Sequence, residues 1–295
     1  IEPLPGGAAV NYSLFWRKRL AQLQRFAHAG PCTVGVGRPS RFAALALELL
    51  PREGSFFDAM DDFPEFYDGL ARRRMAAVEA SICRGVQTIL ASSTYLETKF
   101  RRRGLGGKVL KVLNGCEPSP AADSAPRRPP RPVLGYVGTI GEWFDWELVA
   151  SLGARLPGCD ILLIGPVFMP ARCKLPPNVS ILPACDAREA RSHLDAFSVG
   201  LIPFKIDALT RGVDPIKYYE YRSKGLAVLT TPFGEMARRK GTPGVFLLPR
   251  EDPEPVVNQA LAYREDPESL RTWRLQNSWR ARFRAAGLFV ADHSG

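Results

Sequence analysis

The chain has 295 residues, 45% of them apolar, with 40 Lys+Arg against 30 Asp+Glu for a net charge of +10. That length and apolar share suit two packed domains, and the lack of any apolar run of about 18 residues excludes a membrane-spanning helix. Six cysteines stand singly with no C-x-x-C pair, and His28, His193 and His293 show no ligand spacing with them. This argues against a disulfide framework or a zinc site and for reduced thiols in the cytoplasm.

In chain order, residues 10–29 read as a helix with Leu14, Leu20, Leu23 and Phe26 along one side. Short apolar runs at 33–36, 55–60, 86–91 and 109–113 read as strands, with helices at 41–50, 64–83 and 94–103 between them. Residues 1–9 read as a loop entered midway, so this first domain is expected to be short at its start. Asn114-Gly115 reads as the turn that closes it. The run PSPAADSAPRRPPRP at 118–132 cannot pack as helix or sheet and reads as a linker.

From Val133 the alternation restarts, with strands at 134–137, 161–164 and 179–182 and helices at 147–155 and 187–196. Residues 199–203 form a short apolar run closed by Pro203, the mark of a buried parallel strand. Asp214-Pro215 opens a helix, aspartate as N-cap and proline in the first turn, and Gly225 ends it before a strand at 227–231. Such alternation predicts an α/β protein of two Rossmann-like, doubly wound domains. The expected boundaries are a first domain at 1–117, a linker at 118–132, a second domain at 133–270 and a C-terminal helix at 271–295 packing back toward the first domain.

Charge is uneven. Residues 1–128 carry 19 Lys+Arg against 12 Asp+Glu, a balance of +7, and the remainder 21 against 18, or +3. Three basic triplets fall in the first part, at Arg17-Lys18-Arg19, Arg72-Arg73-Arg74 and Arg101-Arg102-Arg103. Singly each reads as a solvated helix face; together they suit an anionic membrane surface. They are not interleaved with aromatics and no nucleic-acid module is present, so nucleic acid is not expected.

The stretch DPIKYYEYRSKGLAVLTT, with LGYVGTIGEWFDWELV, ILLIGPV and LPPNVSILPACDAREARSHLDAFSVGLIPF upstream of it, resembles the donor-binding half of GT-B glycosyltransferases. The likeness is to retaining enzymes of the family 4 type in particular. It covers residues 133–236 and the helix around NSWRARFR, and it is specific for the fold and the donor class rather than for the sugar. The resemblance implies a nucleotide-diphosphate sugar held by the second domain and an acceptor held by the first. Glu220 matches the second glutamate of the family's E-x7-E motif, the one that holds ribose. The first glutamate would fall at Gly212 and is absent.

Several residues are candidates for the chemistry. Gly138 and Thr139 lie in a glycine-rich turn after a strand, where backbone approaches a diphosphate closely and N–H groups can bind it; an ordinary βα turn is the other reading. Many relatives place Arg and Lys just after this turn, where this chain has Trp143, Phe144 and Trp146. Lys205, Arg211 and Lys217 are then the candidate cations, with Tyr218 beside them. Asp214 either contacts sugar hydroxyls or caps its helix. Asp61 stands with Asp58 and Asp62 at the end of a strand, where acids suit hydroxyl binding or general-base work. Asp62 also suits the N-cap of the helix that follows.

The expected function is transfer of a sugar from a nucleotide-diphosphate donor to a saccharide or lipid-linked saccharide in cell-surface polysaccharide synthesis. Catalysis would be mainly electrostatic, on the departing diphosphate. No metal and no permanently bound cofactor are expected, since no Asp-x-Asp motif follows a strand. The expected location is cytoplasmic, peripheral at the inner membrane face. Two rivals stay open: a nucleotide-sugar epimerase of the same fold, and a non-catalytic binding protein.

Overall fold

The computed structural model describes residues 8–117 and 129–288. Most of the expected linker therefore lies outside the described residues. The chain divides into two compact units, Ile1–Leu113 and Asn114–Gly295. Asn114-Gly115 thus belongs to the second unit rather than closing the first.

The first unit begins with α1 (Ala8–Asn11), a π-helical turn (Tyr12–Trp16) and α2 (Arg17–His28). Trp16 and Leu20 are buried, but Leu14 and Phe26, expected on the same side, are 66% and 72% exposed. The wide π-turn rotates residues before Trp16 relative to those after it, which moves Leu14 off the inner stripe. Four strands follow, β1 (Gly35–Val36), β2 (Phe56–Ala59), β3 (Thr88–Ala91) and β4 (Val109–Lys111). Between them run α3 (Arg41–Leu49), α4 (Gly69–Gly85) and α5 (Thr94–Phe100). The sheet order is β1-β2-β3-β4, all parallel. Each crossover advances one place the same way, the winding of one half of a doubly wound sheet. Phe57, Ile89, Ala91, Ile82 and Phe100 make the core. The long helix expected at 64–83 starts later: a 3-10 turn occupies Phe63–Phe66, and Gly69, at φ +53°, begins α4.

The second unit holds β5 (Val133–Val137), α6 (Trp146–Arg155), β6 (Asp160–Ile164), β7 (Val179–Leu182), α7 (Ala187–Leu194), β8 (Val199–Ile202), α8 (Ile216–Ser223) and β9 (Ala227–Thr230). After these come α9 (Gly234–Arg238), β10 (Val245–Leu247), α10 (Glu254–Ala262), α11 (Pro267–Gln276) and α12 (Trp279–Ala285). Its six-stranded parallel sheet runs β10-β9-β8-β5-β6-β7. The chain winds outward from β5 through β6 and β7, then restarts on the other side at β8. The switch point lies between β5 and β8, where doubly wound sheets bind ligands at the strands' carboxyl ends.

Glycines let helices sit close on this sheet. A Cβ on Gly200 of β8 would come within 2.2 Å of the Tyr221 ring, and one on Gly135 of β5 within 2.2 Å of Phe197. Tyr221 therefore lies flat on the sheet, and its hydroxyl accepts a hydrogen bond from the Val137 amide at 3.1 Å. That bond fixes α8 against the end of β5. Buried Arg222 ties the other end of α8 to the C-terminal helices. It pairs with Glu265 and stands over the rings of Tyr263 and Trp273, at 5.8 and 5.5 Å.

Candidate active site

The turn after β5 and the first turns of α8 meet at the switch point. Gly138 has φ +142°, a conformation that favours glycine. A Cβ there would lie 2.2 Å from Lys217 Nζ, so the missing side chain is what admits the ammonium. Gly165, after β6, approaches equally closely: a Cβ on it would lie 2.3 Å from the Gly138 carbonyl oxygen. The turn is held from within. Gly138 N–H donates to Ile164 O (2.8 Å), Ile140 N–H to Pro166 O (2.9 Å) and the Tyr136 hydroxyl to Thr139 O (2.7 Å). Those two amides are therefore spent. The amides of Thr139 and Gly141 make no hydrogen bond among the described residues and remain as the turn's donors.

Lys217 is the most telling group. Its ammonium sits 5.4 Å from the centre of the Tyr136 ring, and it makes no hydrogen bond or ion pair among the described residues. Burial pulls its pKa below the ordinary lysine value, and the nearby Glu220 carboxylate opposes this. Glu220 is exposed, three residues along α8 and on the same face. A half-buried cation over a glycine turn, with a carboxylate beside it, has the chemistry that an anion joined to hydroxyls calls for.

Asp214 does neither of the things expected of it. Its side chain is fully buried. It accepts from Asn114 N–H (2.9 Å), the Tyr219 hydroxyl (2.8 Å) and Arg239 Nη2 (2.7 Å), and α8 starts without a side-chain cap. Burial pushes its pKa up, and the Arg239 guanidinium and these donors push it back. Asp214 anchors the front of α8 to Asn114 and α9 and has no face toward a sugar. Tyr218 also turns away: it is buried, with Arg239 stacked 3.9 Å from its ring centre and Trp273 at 5.8 Å. Packing turns both side chains inward, and the helix cap expected of Asp214 is not made.

Lys205 is exposed after β8, its amide donating to Trp143 O at 2.7 Å. Arg211 lies exposed on the 3-10 turn Thr210–Gly212. The structure brings together Gly138, Thr139, Lys217 and Glu220, with Lys205 on the strand-end loop beside Trp143. Sequence reasoning missed Tyr136 and named Trp143 only as standing where relatives place a cation. Trp143 packs over Gly141, whose Cβ would meet its ring at 2.7 Å, and lies edge-on to Phe204 at 6.4 Å between centroids. An aromatic in a strand next to a glycine turn was the available signal.

In the first unit, Asp62 does not cap its turn. It takes the Lys99 ammonium at 2.7 Å, and Lys99 also reaches Glu79 at 2.8 Å. Asp61 is half-buried. Burial first, then the charges of Asp58 and Asp62, push its pKa up to about 6. Among the described residues no group of three or more His, Cys, Asp or Glu side chains could hold a metal ion.

No protein-family model matches the chain. It is 26% identical over 175 residues to TuaH of Bacillus subtilis (strain 168), a protein assigned to teichuronic acid biosynthesis as a glycosyltransferase; the match covers 54% of this chain and 44% of that one. The chain thus spans under half the length of that relative. Among solved structures it resembles the apo form of the lipopolysaccharide outer core galactosyltransferase WaaB. There the TM-score is 0.61 at 12% identity, over 94% of this chain and 78% of that one. It resembles also Anabaena HepE in complex with UDP, with TM-score 0.60 at 14% identity, over 91% of this chain and 80% of that one. Its two parallel α/β units have the GT-B fold.

Proposed function

We propose that the chain is a glycosyltransferase that takes a sugar from a nucleotide diphosphate. The observation that carries this reading is the Lys217 ammonium over the Gly138 turn with Glu220 beside it at the switch point. Lys217 and the amides of Thr139 and Gly141 hold the diphosphate, Glu220 accepts the ribose hydroxyls, and Lys205 and Arg211 add positive charge at the rim. When the bond from the sugar's anomeric carbon to the diphosphate oxygen breaks, its electron pair stays on that oxygen. Lys217 stabilises the charge where it grows, in a site partly closed to water. An acceptor hydroxyl on the face that the diphosphate leaves forms the new bond to the anomeric carbon and loses its proton, and Asp61 is the base that the first unit offers. The reaction retains configuration and needs no bound metal.

The acceptor is a saccharide or lipid-linked saccharide, met at the inner face of the membrane, in the synthesis of a cell-surface polysaccharide. The teichuronic acid and lipopolysaccharide assignments of TuaH and WaaB support that reading. No helix among the described residues is long and apolar enough to cross a membrane. The burial of Asp214 favours one second reading, a nucleotide-sugar-binding protein without turnover, because it removes one of two candidate carboxylates.

A panel of UDP, GDP, ADP and dTDP sugars, read by calorimetry and by release of free nucleotide, tests the proposal. Binding with slow nucleotide release that an acceptor accelerates supports the transferase. Binding without turnover supports the second reading, isomerised donor points to an epimerase, and no binding by any member refutes the donor site.

A further inference from the structure

We propose that the helical segment 8–28 of the first unit docks on an anionic lipid surface, with Leu14 and Phe15 entering the headgroup boundary and Arg17, Lys18, Arg19 and Arg25 meeting the headgroups. The proposal rests on the lipid-linked acceptor of the reading above and assigns the surface that meets the membrane.

The segment contains four Lys or Arg and no Asp or Glu. Trp16 and Leu20 hold it to the unit, Trp16 edge-on to Phe42 of α3 at 6.0 Å between centroids. The opposite face is turned outward. Leu14 is 66% and Phe15 45% exposed, with Val10 and Tyr12 in the turn before them. Lys18 and Arg19 come about one turn after Leu14 and Phe15, and all four are exposed, so cations and apolar tips are neighbours on the outer surface. An amphipathic helix with a basic polar face and exposed large apolar residues has the makeup of an interfacial helix. Scattered apolar residues on a surface need no explanation, but four large ones within six residues, followed closely by three cations, do.

The other two triplets differ. Arg72 pairs with Glu65, Arg101 with Glu97 and Arg103 with Glu79, so their charge is partly compensated at home. Arg17, Lys18 and Arg25 have no carboxylate partner among the described residues, and Arg19 reaches the neutral Gln22 at 3.2 Å. Phe26, also exposed, lines a cleft of about 390 Å³ against β1 and α3 and is left out of the inserted set. The acid-free, outward-facing helix carries uncompensated positive charge, and an anionic lipid surface complements it.

The test uses the full chain with vesicles of phosphatidylglycerol and phosphatidylcholine, and of phosphatidylcholine alone. The wild type should float with anionic vesicles at low salt, be released by salt, and ignore neutral ones. Leu14→Ser with Phe15→Ser should weaken flotation about tenfold. Lys18→Glu with Arg19→Glu should weaken it by more, at about fivefold per cation lost, and charge reversal at Arg72, Arg73 and Arg74 by less than that pair. Because these side chains are exposed, packing is left intact. Phe15→Trp should add a blue-shifted emission component on anionic vesicles that brominated lipid quenches.

No flotation with anionic vesicles, an unshifted Phe15→Trp signal, or flotation indifferent to Leu14→Ser and Phe15→Ser overturns the proposal. So does a dimer in sedimentation that those two changes dissolve, since a second copy would then cover the face. Nucleotide binding, a property of the second unit, is measured on the same samples. If it fails while flotation persists, the donor-site reading falls and this surface stands; the converse leaves the donor site and removes the surface.

Discussion

Lys217→Met exchanges a half-buried ammonium for an apolar chain of similar length. In the unliganded protein Lys217 makes no ion pair or hydrogen bond among the described residues, and burial already disfavours its charge. Methionine should therefore leave the melting temperature unchanged or raise it, as when a functional group is held at a cost to stability. The liganded state behaves oppositely. A charge-assisted hydrogen bond is worth about 1.5–3 kcal/mol. The Coulomb attraction at about 4 Å is of order 4 kcal/mol at the effective dielectric of a protein surface, before desolvation is subtracted. A net loss of about 2–3 kcal/mol follows, or roughly 30- to 150-fold in Kd for a nucleoside diphosphate. The free nucleoside, lacking phosphate, should bind equally to both proteins. Calorimetry with UDP and uridine, beside thermal unfolding without ligand, reads both sides. Equal losses for nucleotide and nucleoside, or a clear fall in unliganded stability, would refute the assignment of Lys217 to an anion.

Further consequences concern neighbouring residues. Gly138→Ala puts a Cβ 2.2 Å from Lys217 Nζ at φ +142° and should displace the ammonium, costing nucleotide affinity about as much as Lys217→Met while also lowering the melting temperature; affinity equal to wild type would contradict the close approach. Asp214→Ala leaves Arg239 buried without its carboxylate and should destabilise the fold by about 3 kcal/mol or more, read by urea unfolding, since it breaks a buried pair; a loss under about 1 kcal/mol would show Asp214 is no anchor. Asp61 holds its proton more tightly in the folded state, at about 6 against an ordinary 3.8. Its contribution to stability is thus present below pH 3.8 and lost as pH rises through about 6. Asp61→Asn should raise stability at pH 7, lose that advantage at pH 4, and remove any acid limb of the rate profile near 6; a lower melting temperature at pH 7 would contradict the burial of its charge.

Much of the architecture was legible because period and punctuation agree along the second unit. The apolar runs of β5, β6, β8 and β9, the helix after Asp214-Pro215 and the stop at Gly225, φ +74°, all lie where the pattern puts them. The first unit was less legible where local chemistry competes: a π-turn at Tyr12–Trp16 turns Leu14 outward, and Gly69 delays α4. For the site, helical spacing sufficed to place Lys217 and Glu220 on one face. It could not tell that Asp214 and Tyr218 face the interior, because that depends on Asn114, Arg239 and Trp273, up to about a hundred residues away in sequence. Nor could it show that the Gly138 and Ile140 amides are spent on Ile164 and Pro166, a pairing made across the sheet.

The account stands or falls on the donor site of the second unit, and Glu220 tests it most directly. Glu220 is exposed on α8 and its removal leaves the core untouched, so a binding defect in Glu220→Ala cannot be a folding defect. Calorimetric titration of wild type and Glu220→Ala with UDP and the other nucleoside diphosphates, beside their 2′-deoxy analogues, is the measurement. The account predicts that one nucleotide binds the wild type, that Glu220→Ala loses about 1.5–3 kcal/mol of that affinity, and that the deoxy analogue is already weak in the wild type and little worse in the variant. Undiminished affinity in Glu220→Ala, or no preference of the wild type for the full ribose, would contradict it.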